Sequence, residues 1–188
     1  MARPSLLEST LTPFRIVFLM WFFFFVEVLF GWPLSIFGIE PHTIRGLIGI
    51  VMAPLLHGSF DHLVSNSVPL LFLGTVLFFF YPKIGNIVFI RCYFITNILV
   101  WIFARSHSNH IGASGLIYGL AFFLIFFGIF RRDFLSMLIS IIILLMYGGV
   151  FYGILPSDPR ISWESHLAGA VVGIWTAISY GDRKVVNS

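Results

Sequence analysis

The sequence predicts an all-α membrane protein: a bundle of six transmembrane helices, the fourth of them short and submerged below the membrane surface. Of the 188 residues, 59% are hydrophobic and only 10% are charged, with a mean hydropathy of +0.99. Soluble domains average about 25% charged residues. The chain also contains 23 phenylalanines, which a water-soluble fold of this size cannot all hide, so we expect lipid to cover part of this surface.

Six apolar runs in the chain are long enough to cross a bilayer, whose hydrocarbon core of about 30 Å takes roughly 20 helical residues. No strand-like alternation of polar and apolar residues competes with them. The first run has no small-residue cleavage site behind it, which predicts a retained helix rather than a signal peptide. We expect one domain over residues 1–188, with helices at about 15–36, 62–81, 84–104, 114–130, 134–155 and 165–181.

The placement of basic residues predicts the orientation of these helices. Lys and Arg concentrate on the cytoplasmic side of membrane proteins, and a cytoplasmic N-terminus puts eight basic residues inside and three outside. Both termini are therefore predicted to be cytoplasmic, and a short chain without extra domains suits a bacterial inner membrane. The eight are Arg3, Arg15, Lys83, Arg91, Arg131, Arg132, Arg183 and Lys184, and the three are Arg45, Arg105 and Arg160.

Several partners are excluded by composition and spacing. The 11 basic residues against 8 acidic ones form no basic run, so we expect the lipid bilayer and no nucleic acid as a partner. The single cysteine, Cys92, excludes an internal disulfide. No H-E-x-x-H motif occurs, and Glu164 is only two residues from His166, so a metal hydrolase that uses several of the six histidines is only a weak alternative, and no metal and no cofactor are predicted. The sequence specifies no oligomeric state.

Polar residues at the start of the second run are the first functional candidates, because polar groups at bilayer depth are costly and mark function by default. His62 and Asn66 are four residues apart, which places them on one helical face, one turn from each other. Such a pair by itself is more often a hydrogen-bonded contact between helices than a catalytic group. We therefore consider it together with the serine described next.

Ser114 opens the fourth run, in the segment Gly112-Ala113-Ser114-Gly115. From Ser114 to Phe130 there are 17 residues, or about 25 Å of helix, less than the roughly 30 Å hydrocarbon core. If Phe130 reaches the cytoplasmic face, Ser114 lies below the outer surface. Irregular backbone at that depth requires a protein-lined or water-lined cavity. Outside this context, a serine at a helix start is usually a cap.

Small residues predict that the fourth and sixth helices pack closely. Ser165, Gly169 and Gly173 recur every four residues in the sixth run, and Gly115 and Gly119 do so in the fourth. Such stripes let helix backbones approach each other. Because both helices start on the outer side, this contact is expected to bring His166 beside Ser114.

These residues predict a serine hydrolase with a Ser114–His166 dyad. A histidine within reach of a serine hydroxyl can remove its proton during attack and return it to the leaving amine. The candidate donors to the oxyanion are His62, Asn66 and the backbone N–H of Ser114. No carboxylate is spaced to orient His166, and Tyr118, one turn after Ser114, is expected to support the ring by stacking.

The chain resembles the rhomboid intramembrane serine proteases of the six-helix prokaryotic type. The resemblance implies Ser114 as nucleophile, His166 as base, an oxyanion hole lined by His62 and Asn66, and a structural His57 that helps to hold the first outer loop. It rests on Gly112-Ala113-Ser114-Gly115 with Tyr118, on His166 with Ala168, Gly169 and Gly173, and on His57, His62 and Asn66.

The resemblance also implies the substrates: single-span membrane proteins, cut near or within the membrane at a small residue where the helix is weak. Leu155 to Trp163 are the candidates for a cap over the active site. One departure concerns the Trp-Arg pair that many family members carry in the first outer loop. Here Ile44 precedes Arg45, which leaves the conformation of that loop open.

Other functional classes are weighed against the protease. A catalytically silent scaffold of the same fold usually lacks the serine or the histidine, and both are present here. A small transporter or channel would explain polar groups in the membrane as a permeation path, but it does not predict a serine and a histidine on matched glycine faces. Glu27, Arg91, His107 and His110 receive no role, although His110 is close enough in sequence to Ser114 to contact the cavity.

Overall fold

The computed structural model describes residues 4–156 and 162–181, and these are helical apart from their connections. The all-helical prediction is thus confirmed for this part of the chain. The predicted cap falls largely on residues outside it, as do Arg3, Arg160, Arg183 and Lys184. The helices are α1 (Leu6–Phe30), α2 (Gly46–Met52), α3 (Phe60–Phe80), α4 (Pro82–Phe103), α5 (Ser114–Arg131), α6 (Phe134–Tyr147), α7 (Val150–Gly153) and α8 (Trp163–Gly181).

Four of these helices, α1, α3, α4 and α5, are long and apolar enough to cross a membrane. Helix α6 is apolar but has only 14 residues, and α8 has 19. The count of six spans therefore remains a prediction. The same holds for the depth of the 18-residue α5 in the bilayer.

Three helix boundaries differ from the predicted ones by more than a few residues. Helix α1 ends at Phe30 rather than near 36, because Gly31 caps it in the left-handed conformation with a φ of +65°. Helix α1 begins at Leu6 rather than near residue 15, because Ser5 and Glu8 form a capping box: the Ser5 hydroxyl accepts the Glu8 N–H at 3.2 Å, and the Ser5 N–H donates to the Glu8 carboxylate at 2.7 Å. Helix α6 ends at Tyr147 rather than near 155. Gly148 and Gly149 follow it, and glycine is a poor helix former.

Helices α5 and α8 pack against each other through glycines at the centre of the bundle. A methyl group added at Gly169 would lie 2.1 Å from the Gly115 carbonyl oxygen, and one added at Gly173 would lie 2.3 Å from that of Gly119. Backbones this close leave no room for a side chain between them. The predicted contact between the two glycine faces is confirmed.

The segment between α1 and α3, residues 31–59, is held on α4 by a row of side chains; it is called the first outer segment after its predicted location. Tyr93, Asn97 and Trp101 are spaced four residues apart and so share one face of the helix. They donate to backbone carbonyls of the segment: the Tyr93 hydroxyl to Val51 at 2.6 Å, the Asn97 amide to Ile50 at 3.0 Å and the Trp101 indole to Thr43 at 2.9 Å. These bonds fix the conformation of the segment, which the absence of the Trp-Arg pair had left undetermined.

Candidate active site

A cavity of about 730 Å³ lies where α3, α5 and α8 begin. Both polar and apolar side chains line it, and Ser114, His166, His62 and Asn66 meet there. The lining residues are Gly58, Ser59, His62, Ser65, Asn66, Pro69, Asn109, Ile111, Ser114, Ile117, Tyr118, Tyr147, Val150, Ser162 and His166.

Ser114 is the first residue of α5, and the loop before it is braced from two sides. The Gly112 N–H donates to the Ala53 carbonyl of the first outer segment at 2.8 Å. Gly112 has a φ of +106°, and the His62 ring lies 2.6 Å from where a methyl group on it would be. Both the backbone conformation and the space therefore require glycine at this position.

His166 lies in the first turn of α8, where it is 9% exposed, and its ring is held by two contacts. The Tyr118 ring stacks on it with centroids 4.0 Å apart and planes 6° from parallel, as predicted. The His166 Nδ1 atom is 2.9 Å from the Gly153 carbonyl oxygen. Since a carbonyl only accepts, Nδ1 carries the proton, and Nε2 is left as the acceptor nitrogen of a neutral ring.

His62 and Asn66 lie one turn apart on α3, as their spacing predicts. The Asn66 side chain is 4% exposed, and its amide donates to the His62 carbonyl at 2.8 Å, which leaves its second N–H for another acceptor. The buried His57 ring packs edge-on against His62, with centroids 4.9 Å apart. Burial and the neighbouring His62 lower the pKa of His57 to about 3, so this ring is neutral at neutral pH.

No spacing pattern in the sequence indicates the Gly153 carbonyl that orients His166. Gly153 ends the short helix α7, thirteen residues before His166, and a backbone carbonyl leaves no side-chain signature. It is also tightly packed, because a methyl group there would lie 1.8 Å from the Tyr118 hydroxyl oxygen. The only sign of this role in the sequence was a glycine close to the end of the predicted fifth helix.

The four residues without a predicted role lie in different surroundings. The Arg91 guanidinium lies 4.8 Å from the Trp175 ring centroid and 5.3 Å from that of Tyr180. These cation–π contacts join α4 to α8 away from the cavity. Glu27 is half-buried in the last turn of α1, His107 is exposed, and His110 is buried.

The apolar helices and the polar cavity between them define an integral, multi-pass membrane protein. A model of the rhomboid domain matches residues 45–183, so the chain belongs to the rhomboid family. This family consists of serine intramembrane proteases and also contains inactive members. The match includes Ser114, His166 and the polar residues of α3.

Mycobacterial proteins are among the relatives of this chain. It is 35% identical over 196 residues to uncharacterized proteins of Mycobacterium bovis and Mycobacterium tuberculosis, with 97% of this chain and 80% of each relative covered. An uncharacterized protein of Mycobacterium leprae is 38% identical over 156 residues, covering 73% of this chain and 59% of the relative.

Proposed function

We propose that this protein is an intramembrane serine endopeptidase that cleaves single-span membrane proteins through a Ser114–His166 dyad. The observation that carries the proposal is the common cavity. Ser114 on α5, His166 on α8 and the His62–Asn66 pair on α3 all line it, and the Gly153 contact leaves Nε2 of His166 as the acceptor nitrogen. A nucleophile, a base and donors to an oxyanion are the groups that acyl transfer requires.

In the first half of the reaction, Ser114 Oγ attacks the scissile carbonyl carbon while His166 Nε2 takes the hydroxyl proton. The carbonyl oxygen becomes an oxyanion, which accepts hydrogen bonds from the Ser114 N–H, His62 and the second N–H of Asn66. The C–N bond then breaks, and His166 returns the proton to the leaving amine. The product is an acyl-enzyme on Ser114.

In the second half, water replaces the amine. His166 Nε2 takes a proton from a water molecule as the water attacks the ester carbon, and the same donors hold the new oxyanion. Breaking the C–Oγ bond lets His166 return the proton to Ser114 Oγ and releases a carboxylic acid, which ionises in water. Through both halves the Gly153 carbonyl and the Tyr118 ring hold the imidazole in one orientation.

The proposed setting is a bacterial inner membrane, with six spans, both termini cytoplasmic and Ser114 below the outer surface. The connections that carry the cavity, residues 31–59, 104–113 and 148–156, meet at one end of the bundle: Ile39 pairs with His110, and the Gly153 carbonyl reaches His166. This end would face outwards, where the aqueous phase supplies the water that hydrolysis consumes. Because α5 is short, Ser114 would lie within the bilayer, where it can meet a substrate helix that enters from the lipid.

The test is cleavage of a model single-span substrate in liposomes, together with labelling by a fluorophosphonate probe. We expect Ser114→Ala and His166→Ala to lower kcat by at least about 10³-fold, and labelling to need Ser114. Asn66→Ala should lower kcat by about 10²- to 10³-fold with little change in KM, since an oxyanion donor acts in the transition state. The control is Ser179→Ala, which removes a partly exposed hydroxyl of α8 that, among the described residues, donates to the Trp175 carbonyl of its own helix.

Cleavage retained by Ser114→Ala would exclude the mechanism. A silent scaffold would bind its membrane clients equally well with or without the Ser114 hydroxyl and leave them uncut. A transporter would move solute across sealed vesicles, which the protease should not do.

A further inference from the structure

His110 is a buried histidine that the proposed reaction does not use. It lies in the loop four residues before Ser114 and is 3% exposed. Its backbone pairs with Ile39 of the first outer segment: each N–H donates to the other residue's carbonyl at 2.9 Å. The backbone of this residue is therefore fixed, and its ring extends from a fixed point.

The His110 ring connects two segments that are distant in sequence. Its Nε2 atom lies 2.8 Å from the Ser108 hydroxyl of the same loop, and its Nδ1 atom lies 2.5 Å from the hydroxyl of Ser162. Ser162 immediately precedes α8, 52 residues further along the chain. The ring thus joins the loop before Ser114, residues 104–113, which we call the serine loop, to the start of α8, the helix that carries His166.

Ser162 passes this contact on to His166 through the backbone. The Ser162 carbonyl accepts the His166 N–H at 3.3 Å and the Ser165 N–H at 3.1 Å. The Ser162 hydroxyl also lies 2.6 Å from that of Ser165. His110 precedes Ser114 by four residues, and Ser162 precedes His166 by four. The His110–Ser162 hydrogen bond therefore joins the two chain segments that lead into Ser114 and His166.

We propose that the His110–Ser162 hydrogen bond sets the axial position of α8 relative to α5, which makes His110 a positioning residue for the Ser114–His166 pair; this inference rests on the proposed function. The glycine faces set the distance between the two helices. Glycines have no side chains, however, so these faces offer little resistance to a shift of one helix along the other. A shift of about 1 Å between reacting groups can lower a rate by about 10²-fold. A bond at the ends of both helices opposes that shift.

A second contact joins the same two segments but contributes less. Arg105 of the loop and Glu164 of α8 form an ion pair at 3.3 Å. The Glu164 side chain is 10% exposed, but the Arg105 side chain is 41% exposed, so water and salt screen this pair from the arginine side. The His110–Ser162 bond is buried on the histidine side, where water competes less for either partner.

The experiment measures kcat and KM for substrate cleavage in liposomes with variants of the two partners. Ser162→Ala removes one hydroxyl and is expected to lower kcat about 10-fold with KM within about twofold, as a misplaced base affects the transition state. Ser162→Thr keeps the hydroxyl and should restore most of the loss. The matched control is Ser108→Ala, which removes the other hydroxyl on the same ring but leaves the bond to α8, and its kcat should stay near that of the wild type.

A double-mutant cycle separates this bond from general damage to the fold. His110→Ala combined with Ser162→Ala should lower kcat no further than the more severe single change, because both remove the same interaction. All rates are expressed per molecule labelled by the fluorophosphonate probe, so that unfolded protein does not count. Additive losses would overturn the inference.

Two further outcomes distinguish the inference from the function on which it rests. If Ser162→Ala keeps the wild-type kcat, or raises KM alone, His110 does not position the pair, while the protease assignment stands as long as Ser114→Ala is inactive. If Ser114→Ala still cleaves, the proposed function fails, and the positioning role fails with it.

Discussion

At the scale of single residues, the orientation of His166 comes from a backbone carbonyl and an aromatic ring. Among the described residues, Gly153 supplies the acceptor for Nδ1 and Tyr118 supplies the stacked face. A neutral carbonyl fixes the tautomer as a carboxylate would, but it stabilises a positively charged imidazole less, because it carries a dipole rather than a full charge. The proposed dyad therefore depends strongly on geometry.

Replacing Gly153 should disturb this geometry. In Gly153→Ala the new methyl group would lie 1.8 Å from the Tyr118 hydroxyl oxygen. Either the Tyr118 ring or the Gly153 backbone must therefore move, and each of them holds the His166 ring. We expect kcat to fall by about 10- to 100-fold, measured as cleavage in liposomes. The control is Gly149→Ala nearby, where nothing lies within 4 Å of the added methyl group and the backbone is already helical. Equal activity of the two variants would contradict the role given to Gly153.

At the scale of elements, the contact between α5 and α8 decides where the two proposed catalytic residues lie. Each helix begins next to one of them, with Ser114 first in α5 and His166 in the first turn of α8. The close approach along the glycines keeps these helix starts together. The stability of this interface and the geometry of the site therefore have a common origin.

The two sides of this interface should respond differently to the same substitution. At Gly169 an added methyl group meets the Gly115 carbonyl oxygen at 2.1 Å, whereas at Gly115 the nearest atoms are the Thr96 methyl group at 3.0 Å and the Ser165 carbonyl oxygen at 3.2 Å. Both positions are helical, so either change gains some helix propensity, and the expected difference comes from the much closer backbone contact at Gly169. We expect Gly169→Ala to lose about 1–3 kcal/mol of stability and Gly115→Ala clearly less. Thermal unfolding in detergent measures this, and the reverse order would contradict the packing.

At the scale of the whole molecule, α4 acts as a support for the first outer segment, and that segment supports the serine loop. Tyr93, Asn97 and Trp101 hold the segment through its carbonyls. The segment in turn bonds the serine loop through Ile39 to His110 and Ala53 to Gly112. The position of Ser114 thus depends on a helix that contributes nothing to the lining of the cavity.

Weakening this support should expose the segment to protease. Each donor is worth about 1 kcal/mol, so Tyr93→Phe or Trp101→Phe should raise the rate of trypsin cleavage at the exposed Arg45 about fivefold, and both together should raise it about 25-fold, if cleavage follows local opening. Ile98→Leu, on an exposed part of α4, is the control. Unchanged cleavage in the double variant would show that the segment is held by other contacts.

The sequence by itself determined the features that depend on local pattern and on solvent. Apolar composition specified helices in lipid, and spacing of four specified the shared faces of His62 and Asn66 and of the glycine stripes, because a helix repeats every 3.6 residues. It also indicated that Tyr118 would stack on His166. These properties follow from residues that are close to each other in the chain, so the sequence alone is enough to predict them.

Only the tertiary structure decided the contacts made by backbone atoms and by residues far apart in sequence. The Gly153 carbonyl at His166, the donors from α4 to the first outer segment and the contact of His110 with Ser162 have no local signature, since every residue carries a carbonyl and many loops carry a buried histidine. Which carbonyl meets which side chain depends on how the helices pack. The sequence therefore identified the candidate catalytic residues, and the packing of the helices determined what holds them in place.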